Sequence, residues 1–295
     1  MSTRIHFFKL LLSLGCVIFS ANTFSAVSNI DDNVITWAGC GITKKAFMAE
    51  LAKGYEEKTG TKMELYGGGA TRGIRDTAAL KMDMGGSCRM TLPEIERSEL
   101  HVTLHPVAWD ALAVIMHPQN PVDNLTTDQI KAIYLGKIKN WKELGGADAP
   151  IELYVRQGKV SGVGYAIRQY LFQDGGVNFV SDHVVKSSGP LEKAVEKDPN
   201  AMGITGISSA RKRNVKIVGI DGKSPSYDNL KNGSYGLYRP LYLVTSPMPS
   251  AKVKEFIAFA NSRQGRKIIR DNGTVPYRDA LNLMSKLVIY GFGVR

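Results

Sequence analysis

Cysteine and histidine are scarce in this chain of 295 residues, which has three cysteines and five histidines. The patterns CxxC, CxxCH and HExxH do not occur, and the histidines show no spacing typical of metal ligands. Two cysteines remain after the first thirty residues, which is too few for a disulfide framework but enough for one bond in an exported protein. We therefore expect no metal and no cofactor.

Nucleotide-binding signatures are missing from the glycine-rich stretch at 66–74, which reads Tyr-Gly-Gly-Gly-Ala-Thr-Arg-Gly-Ile. Arg72 occupies the place of the third glycine of a dinucleotide fingerprint, and Ile74 and Arg75 replace the Lys-Ser/Thr of a P-loop. The stretch follows a strand-like segment at 63–66 and precedes a helical pattern. It is either an anion site at the positive end of a helix dipole or an ordinary tight turn.

Long apolar runs are absent after the N-terminus, where Arg4 and Lys9 flank the apolar residues 10–19. The run is too short to span a bilayer, and we interpret residues 1–26 as a secretory signal peptide cleaved near Ala26. Cys16 allows a lipoprotein reading, but Ser-Leu-Gly before it is a poor lipobox. Soluble export is the favoured interpretation.

Lysine and arginine total 38 against 27 aspartates and glutamates, a net charge of +11. The positive charge is spread along the sequence, and Arg211-Lys212-Arg213 is the longest basic run. Nucleic-acid binding requires a patch or a known module, and neither is found. We interpret the charge as a solvated basic surface and expect no nucleic-acid partner.

A strand, a turn of small residues and a helix recur along the chain, with turns at 38–43, 66–74, 83–89 and 156–164. This rhythm predicts an α/β fold with a largely parallel sheet, whose ligands bind beyond the carboxyl ends of the strands. Thr91-x-x-Glu94 resembles a capping box and predicts a further helix after the third turn.

The order of these motifs resembles the phosphate-binding subfamily of periplasmic substrate-binding proteins, and the resemblance covers essentially the whole mature chain. The stretches that carry it are the following: 67–74 (GGGATRGI), 83–89 (DMGGSCR), 106–114 (PVAWDALAV), 136–146 (GKIKNWKELGG) and 156–164 (RQGKVSGVG).

The resemblance implies a two-lobed α/β fold in which each lobe is a mixed, mostly parallel sheet flanked by helices. One lobe would contain residues 27–108 and 240–295, and the other would contain residues 109–239. Crossover strands at Val107 and Leu241 would join the lobes and allow hinge closure around the anion.

The resemblance also implies the ligand-binding residues, which would lie in the turns that start helices. They are Ile42, Thr43, Ala70, Thr71, Asp83, Ser87, Arg156, Ser161, Gly162 and Val163. Arg156 would give forked, charge-assisted hydrogen bonds. Asp83 would accept the proton of hydrogen phosphate and so disfavour sulfate; its alternative role is to cap a turn. Val163 departs from the family pattern, which has a threonine there.

Cys40 and Cys88 fall in the first and third turns, and from the family fold we hypothesise a disulfide bond between them.

The implied function is a periplasmic, monomeric receptor that delivers phosphate or a related oxyanion to an ABC transporter permease in the inner membrane. A sensor or scavenger that signals to a membrane partner would use the same site. A hydrolase with Ser161, Cys88 or Cys40 as nucleophile is disfavoured because no histidine is placed beside them by motif, and we expect no enzyme.

Overall fold

The computed structural model describes residues 33–285, so the predicted signal peptide at 1–26 and Cys16 lie outside the described residues. The strands are β1 Val34–Gly39, β2 Lys62–Tyr66, β3 Met84–Ser87, β4 Thr103–Met116, β5 Asn124–Leu125, β6 Glu152–Arg156, β7 His183–Val185, β8 Ala201–Gly206, β9 Lys216–Ile220, β10 Tyr238–Thr245 and β11 Val275–Pro276. The α-helices are α1 Gly41–Thr43, α2 Ala49–Thr59, α3 Gly69–Ala78, α4 Thr127–Tyr134, α5 Gly162–Ala166, α6 Ser188–Val195, α7 Ile207–Ala210, α8 Tyr227–Lys231, α9 Ala251–Asn261 and α10 Arg263–Asp271.

The first helix is continuous from α1 to α2 through a π-helical segment, Lys44–Met48. Phe47, Leu51 and Tyr55 form its buried stripe at helical spacing. The helix ends at Gly60, whose φ of 73° is the left-handed conformation that glycine adopts readily. The helix predicted after the turn at 38–43 is confirmed.

The sheet has the strand order β2-β1-β3-β10-β4-β8-β6-β7, with β9 and β11 paired to β4 and β5 paired to β9. β1 is parallel to β2 and β3, and β6 is parallel to β7 and β8. β10 and β4 run antiparallel to their neighbours. The predicted α/β class with a mixed sheet is confirmed, and among the described strands five pairings are parallel and five are antiparallel.

β4 connects the two parallel groups of strands. Its residues 103–111 pair with β10, and its residues 112–116 pair with β8. The segments predicted as crossovers are neighbours, because Leu241 of β10 pairs with Ala108 of β4. The limits of the two lobes remain a prediction.

The parallel pairing places the loops that matter for function. β1, β2 and β3 end together, so Cys40, Gly67 and Cys88 leave the same edge of the sheet. β6 and β8 also end together, so Arg156 and Ile207 leave the same edge of the second group. The carboxyl ends of parallel strands are the usual place for ligands in α/β sheets.

The helix predicted from Thr91-x-x-Glu94 is wrong, since the structure has turns there and a 3-10 helix at Arg97–Leu100. The buried Glu99 carboxylate accepts a hydrogen bond from the Leu92 N–H at 2.8 Å. In the first turn of a helix, such an N–H has no partner within the helix and is bound by a capping side chain. Here the Glu99 carboxylate binds it instead, from outside the turn.

Within residues 33–285, no helix combines the length and the apolar character needed to cross a bilayer.

Candidate functional site

A cavity of about 260 Å³ lies at the meeting point of the strand ends. It is lined by Cys40, Gly41, Ile42, Lys45, Gly67, Gly68, Gly69, Ala70, Cys88, Arg156, Gly162, Ser187, Ser188, Gly189, Ser209 and Arg213. Among the described residues that line it, there is no aspartate, glutamate or histidine.

One side of the cavity, which we call the glycine wall, consists of residues 40–42, 67–70 and Cys88. These residues follow β1, β2 and β3 and lead into α1 and α3. Gly69, the first residue of α3, has a φ of 89°, which side-chain-bearing residues rarely adopt. The wall therefore presents little side-chain bulk, and the amino ends of two helices face the cavity with N–H groups that have no intrahelical partner.

The opposite side, which we call the basic wall, consists of Arg156, Gly162, residues 187–189, Ser209 and Arg213. Arg156 ends β6, and its Nη1 donates to the Ser188 hydroxyl at 2.8 Å. Its Nη2 donates to the Lys186 carbonyl at 2.9 Å. The buried Nε has no acceptor among the described residues. Burial lowers the pKa of Arg156, but a guanidinium starts so high that it stays charged.

A buried carboxylate, Glu192 on α6, organises the cations of the cavity. It accepts hydrogen bonds from Lys45 Nζ at 3.2 Å and Arg213 Nε at 3.0 Å. The hydroxyls of Ser209 and Thr205 also donate to it. Burial acts to raise the pKa of Glu192, but the hydroxyl of Ser209, the charge of Lys45 and the other donors hold it below its ordinary value. Glu192 therefore fixes Lys45 and Arg213 at the cavity.

A second buried carboxylate fixes the loops of the cavity through Arg89. Arg89 donates to both oxygens of Glu99, at 2.8 and 2.9 Å, and both side chains are fully buried. The same guanidinium donates to the Val160 carbonyl at 2.9 Å and to the Thr71 hydroxyl at 3.2 Å. Arg89 therefore ties the start of α3 to the loop before α5.

Several residues predicted from the family resemblance line the cavity. They are Ile42, Ala70, Arg156 and Gly162, together with the cysteines Cys40 and Cys88. Gly162 is in close contact with Cys88, because a Cβ at Gly162 would lie 2.3 Å from the Cys88 Sγ. A side chain at position 162 would therefore displace the thiol.

Other predicted residues lie outside the cavity lining, and local contacts explain their places. The Thr43 hydroxyl donates to the Cys40 carbonyl at 2.7 Å, and the Thr71 hydroxyl donates to the Val160 carbonyl at 3.3 Å. The buried Ser87 hydroxyl donates to the Arg89 carbonyl at 2.7 Å. The Ser161 hydroxyl donates to the Gly158 carbonyl at 3.4 Å, and Val163 is 1% exposed and packs in the core.

The structure corrects the prediction for Asp83. Asp83 precedes β3, at the end opposite Cys88, and does not line the cavity. Its carboxylate accepts hydrogen bonds from the N–H and the hydroxyl of Thr36, both at 2.8 Å. The alternative reading, in which Asp83 caps a turn, does not describe these contacts either, because Thr36 lies on the neighbouring strand β1 and Asp83 joins the two strands. It is too far along β3 to meet an anion at the strand's other end.

The two cysteines meet, as the family resemblance implied. Their sulfur atoms are 2.9 Å apart, and the structure has no bond between them. Each is at most 3% exposed, yet both line the cavity. The disulfide bond stays a hypothesis.

Sequence reasoning missed much of the basic wall. Arg213 belongs to the basic run that we interpreted as solvated surface, yet it lines the cavity and pairs with Glu192. The loop at 187–189 carries a signal that was available, since Ser-Ser-Gly immediately precedes Pro190, and proline is common in the first turn of a helix. Lys45 and Ser209 carry no such signal, because their position depends on the buried Glu192, which is distant in sequence from Lys45.

Comparisons with known proteins show which proteins this chain resembles in sequence and fold. The family model of the PBP superfamily domain matches residues 33–264. The phosphate-binding protein PstS of Bacillus subtilis is 26% identical over 246 residues, which are 83% of this chain and 81% of the relative. A phosphate ABC transporter substrate-binding protein from Clostridium perfringens, solved with bound phosphate, is 28% identical with a TM-score of 0.76; 82% of this chain and 99% of that chain align. An ABC-type phosphate transport receptor from Vibrio cholerae is 29% identical with a TM-score of 0.63, over 82% and 99% of the two chains.

Proposed function

We propose a receptor function from one premise: the chain belongs to the PBP superfamily, and within it to the phosphate-binding substrate-binding proteins. In this proposal the protein captures phosphate, or a similar oxyanion, in the cavity between the glycine wall and the basic wall. It then delivers the anion to the permease of an ABC transporter in the inner membrane. The exported, periplasmic location and the monomeric state are parts of the same proposal.

The observation that carries the proposal is the composition of the cavity. Its lining combines helix amino ends with Arg156, Lys45 and Arg213, and in the described lining no carboxylate opposes them. Such a site attracts a compact anion through backbone N–H groups, helix dipoles and a forked guanidinium. The buried Arg156 Nε, which has no acceptor in the described part of the chain, is a donor that a bound oxyanion can use.

Hinge closure is part of this proposal, and the contacts across the cavity support it. Lys45 belongs to the helix that follows residues 40–42 of the glycine wall. Its Nζ donates to Glu192 at 3.2 Å and to Ser209 at 2.8 Å, both on the side of the basic wall. Arg89 makes a second link, to the Val160 carbonyl. Opening would break these charge-assisted bonds, and a bound anion would favour the closed arrangement.

Calorimetric titration tests the proposal directly. The exported protein is unfolded, freed of bound anions, refolded and titrated with phosphate near neutral pH. We expect saturable binding of one phosphate per chain. Absence of phosphate binding by a correctly folded protein would contradict the proposal and leave only the fold.

A further inference from the structure

The Cys40–Cys88 pair is a pair of nucleophilic groups inside the cavity that the proposed function leaves without a role. The two residues follow the parallel neighbours β1 and β3, which brings their sulfur atoms to 2.9 Å. Both side chains contribute to the cavity lining. A bound anion in this cavity therefore lies beside the pair.

A buried cation, Arg239 on β10, lies next to the pair. Its Nη1 donates to the Gly162 carbonyl at 3.1 Å, and Gly162 is in contact with Cys88. Its Nη2 is 3.5 Å from a carboxylate oxygen of Asp110. Its Nε and Nη2 have no hydrogen-bond acceptor among the described residues, although Arg239 is 1% exposed. Positive charge with unused donors beside a thiol stabilises the thiolate.

This environment favours one ionised sulfur in the pair. Burial acts to raise the pKa of Cys40, but the Cys88 thiol, the Arg239 charge and the N–H groups of Thr43 and Ile42 lower it to about 6. The hydrogen bond with Cys40 and burial raise the pKa of Cys88 well above its ordinary value. The charge resides mainly on the Cys40 sulfur, which keeps further lone pairs for a second donor.

The position of this charge matters because Asp83 lies elsewhere and the described lining of the cavity contains no carboxylate. Hydrogen phosphate has a proton that it can donate to a nearby anionic acceptor, whereas sulfate has none. A fixed negative charge therefore tolerates hydrogen phosphate and repels sulfate.

Building on the phosphate-binding function proposed above, we propose that the Cys40–Cys88 pair determines which oxyanions the cavity accepts. As a dithiol with one ionised sulfur, the pair accepts the proton of hydrogen phosphate and excludes sulfate. As a disulfide, the pair is uncharged and accepts no proton, so the cavity no longer distinguishes the two anions.

The oxidation is an exchange with a small disulfide such as oxidised glutathione. The Cys40 thiolate attacks one glutathione sulfur, which forms a mixed disulfide and releases the first glutathione as a thiolate. Cys88 loses its proton and attacks the Cys40 sulfur, which forms the Cys40–Cys88 bond and releases the second glutathione. The two cysteines lose two electrons, which reduce one glutathione disulfide to two glutathiones.

The test compares phosphate and sulfate affinities of the reduced and oxidised wild-type protein near pH 7.5. The protein is equilibrated in reduced or oxidised glutathione, and thiol counting verifies its state. We expect sulfate affinity to rise at least about tenfold on oxidation, since a like charge at 4–6 Å is worth about one to three pKa units. Phosphate affinity should change much less, because oxidation removes both a repulsion and an acceptor.

The double variant Cys40→Ser/Cys88→Ser supplies the matched control, because serine is similar in shape but stays neutral and cannot exchange with a disulfide. This variant should bind sulfate as the oxidised wild type does and should not respond to glutathione. Lower pH gives an independent readout: sulfate affinity of the reduced wild type should rise below about pH 6, and that of the double variant should not. The other charged or titratable groups around the pair are Arg239, Asp110, Tyr170, Arg156, Glu192 and Lys45.

The outcomes separate the two proposals. Phosphate binding with a sulfate affinity that is equal in both redox states would overturn the role of the cysteine pair and leave the receptor function intact. Two thiols that persist in oxidising buffer would overturn the redox switch. Absence of phosphate binding in both states would overturn the receptor function, and the selectivity proposal with it.

Discussion

The two walls of the cavity use opposite means to meet an anion. The glycine wall has little side-chain volume, and its described residues carry no charged side chain other than the thiol pair. The basic wall holds arginines and serines whose positions depend on side-chain contacts, above all those of Glu192 and Ser188. The first wall therefore supplies fixed backbone dipoles, and the second supplies charge.

Because of this difference, we expect mutations in the two walls to affect the protein in different ways. On the glycine wall, anion binding depends on the backbone conformation. A substitution there therefore acts by straining φ or by placing a side chain where there is little room. On the basic wall, anion binding depends on the network of charged side chains. A substitution there therefore acts by leaving a charged partner without its counter-charge. The predictions below each address one wall, except the last, which changes a residue outside both walls.

The largest effect is expected for Glu192→Gln, which removes the carboxylate that holds Lys45 and Arg213. Loss of one member of a buried ion pair leaves its partners uncompensated, and we expect about 3 kcal/mol lower free energy of unfolding. Urea unfolding at about pH 7 measures it, with the exposed Glu57→Gln as control. A loss equal to that of the control would refute the central role of Glu192.

The same comparison has a defined pH dependence. The folded-state pKa of Glu192 lies below the ordinary 4.5, so its stabilisation is complete above that value. It is lost as pH falls through the folded pKa. The stability difference between the wild type and Glu192→Gln should therefore shrink below about pH 4.5.

Arg156→Ala should give the next largest effect, on binding rather than on folding. A charge-assisted, forked hydrogen bond to an anion is worth about 2–3 kcal/mol, so phosphate affinity should fall about 100-fold. Arg263→Ala removes the same charge from an exposed position on α10, outside the cavity lining, and serves as control. Equal losses for the two variants in calorimetric titration would show that total charge, not geometry, determines affinity.

Gly69→Ala tests the backbone of the glycine wall. Its φ of 89° is strained for alanine, and we expect a loss of about 1–2 kcal/mol in stability. Gly67→Ala is the matched control in the same loop, because its φ is not in the left-handed region and no atom lies within 4 Å of a Cβ there. Thermal unfolding that ranks the two variants equally would contradict the backbone account.

The smallest effect on binding is expected for Asp83→Asn. Asp83 contacts Thr36 and lies away from the cavity, so phosphate and sulfate affinities should each change less than about twofold. The free energy of unfolding should fall modestly, because an amide cannot accept as strongly from the Thr36 N–H and hydroxyl. A large rise in sulfate affinity would restore Asp83 as the residue that excludes sulfate.

Local patterns were sufficient to predict the glycine wall and the fold. Turns that join a strand to a helix are visible in nearby residues, so the glycine-rich turns could be located from the sequence. Ile42, Ala70, Gly162 and Arg156 were named as ligand-binding residues only through the family resemblance. The α/β class follows from the same rhythm.

Contacts between distant segments could not be predicted in this way. Lys45 and Arg213 reach the cavity because Glu192 is buried between them, and hydrophobic periodicity does not indicate which carboxylate will be buried. Asp83 was misplaced for a related reason. It stands at the start of a short strand and Cys88 follows its end, and the motif alone did not show which of the two positions faces the ligand.

The most direct test of the account is a crystal structure of the protein grown with phosphate. The account predicts phosphate between the two walls, with the Arg156 guanidinium and N–H groups at the starts of α1, α3 and α5 within hydrogen-bond distance. Phosphate bound elsewhere, or in this cavity without contact to Arg156, would contradict it.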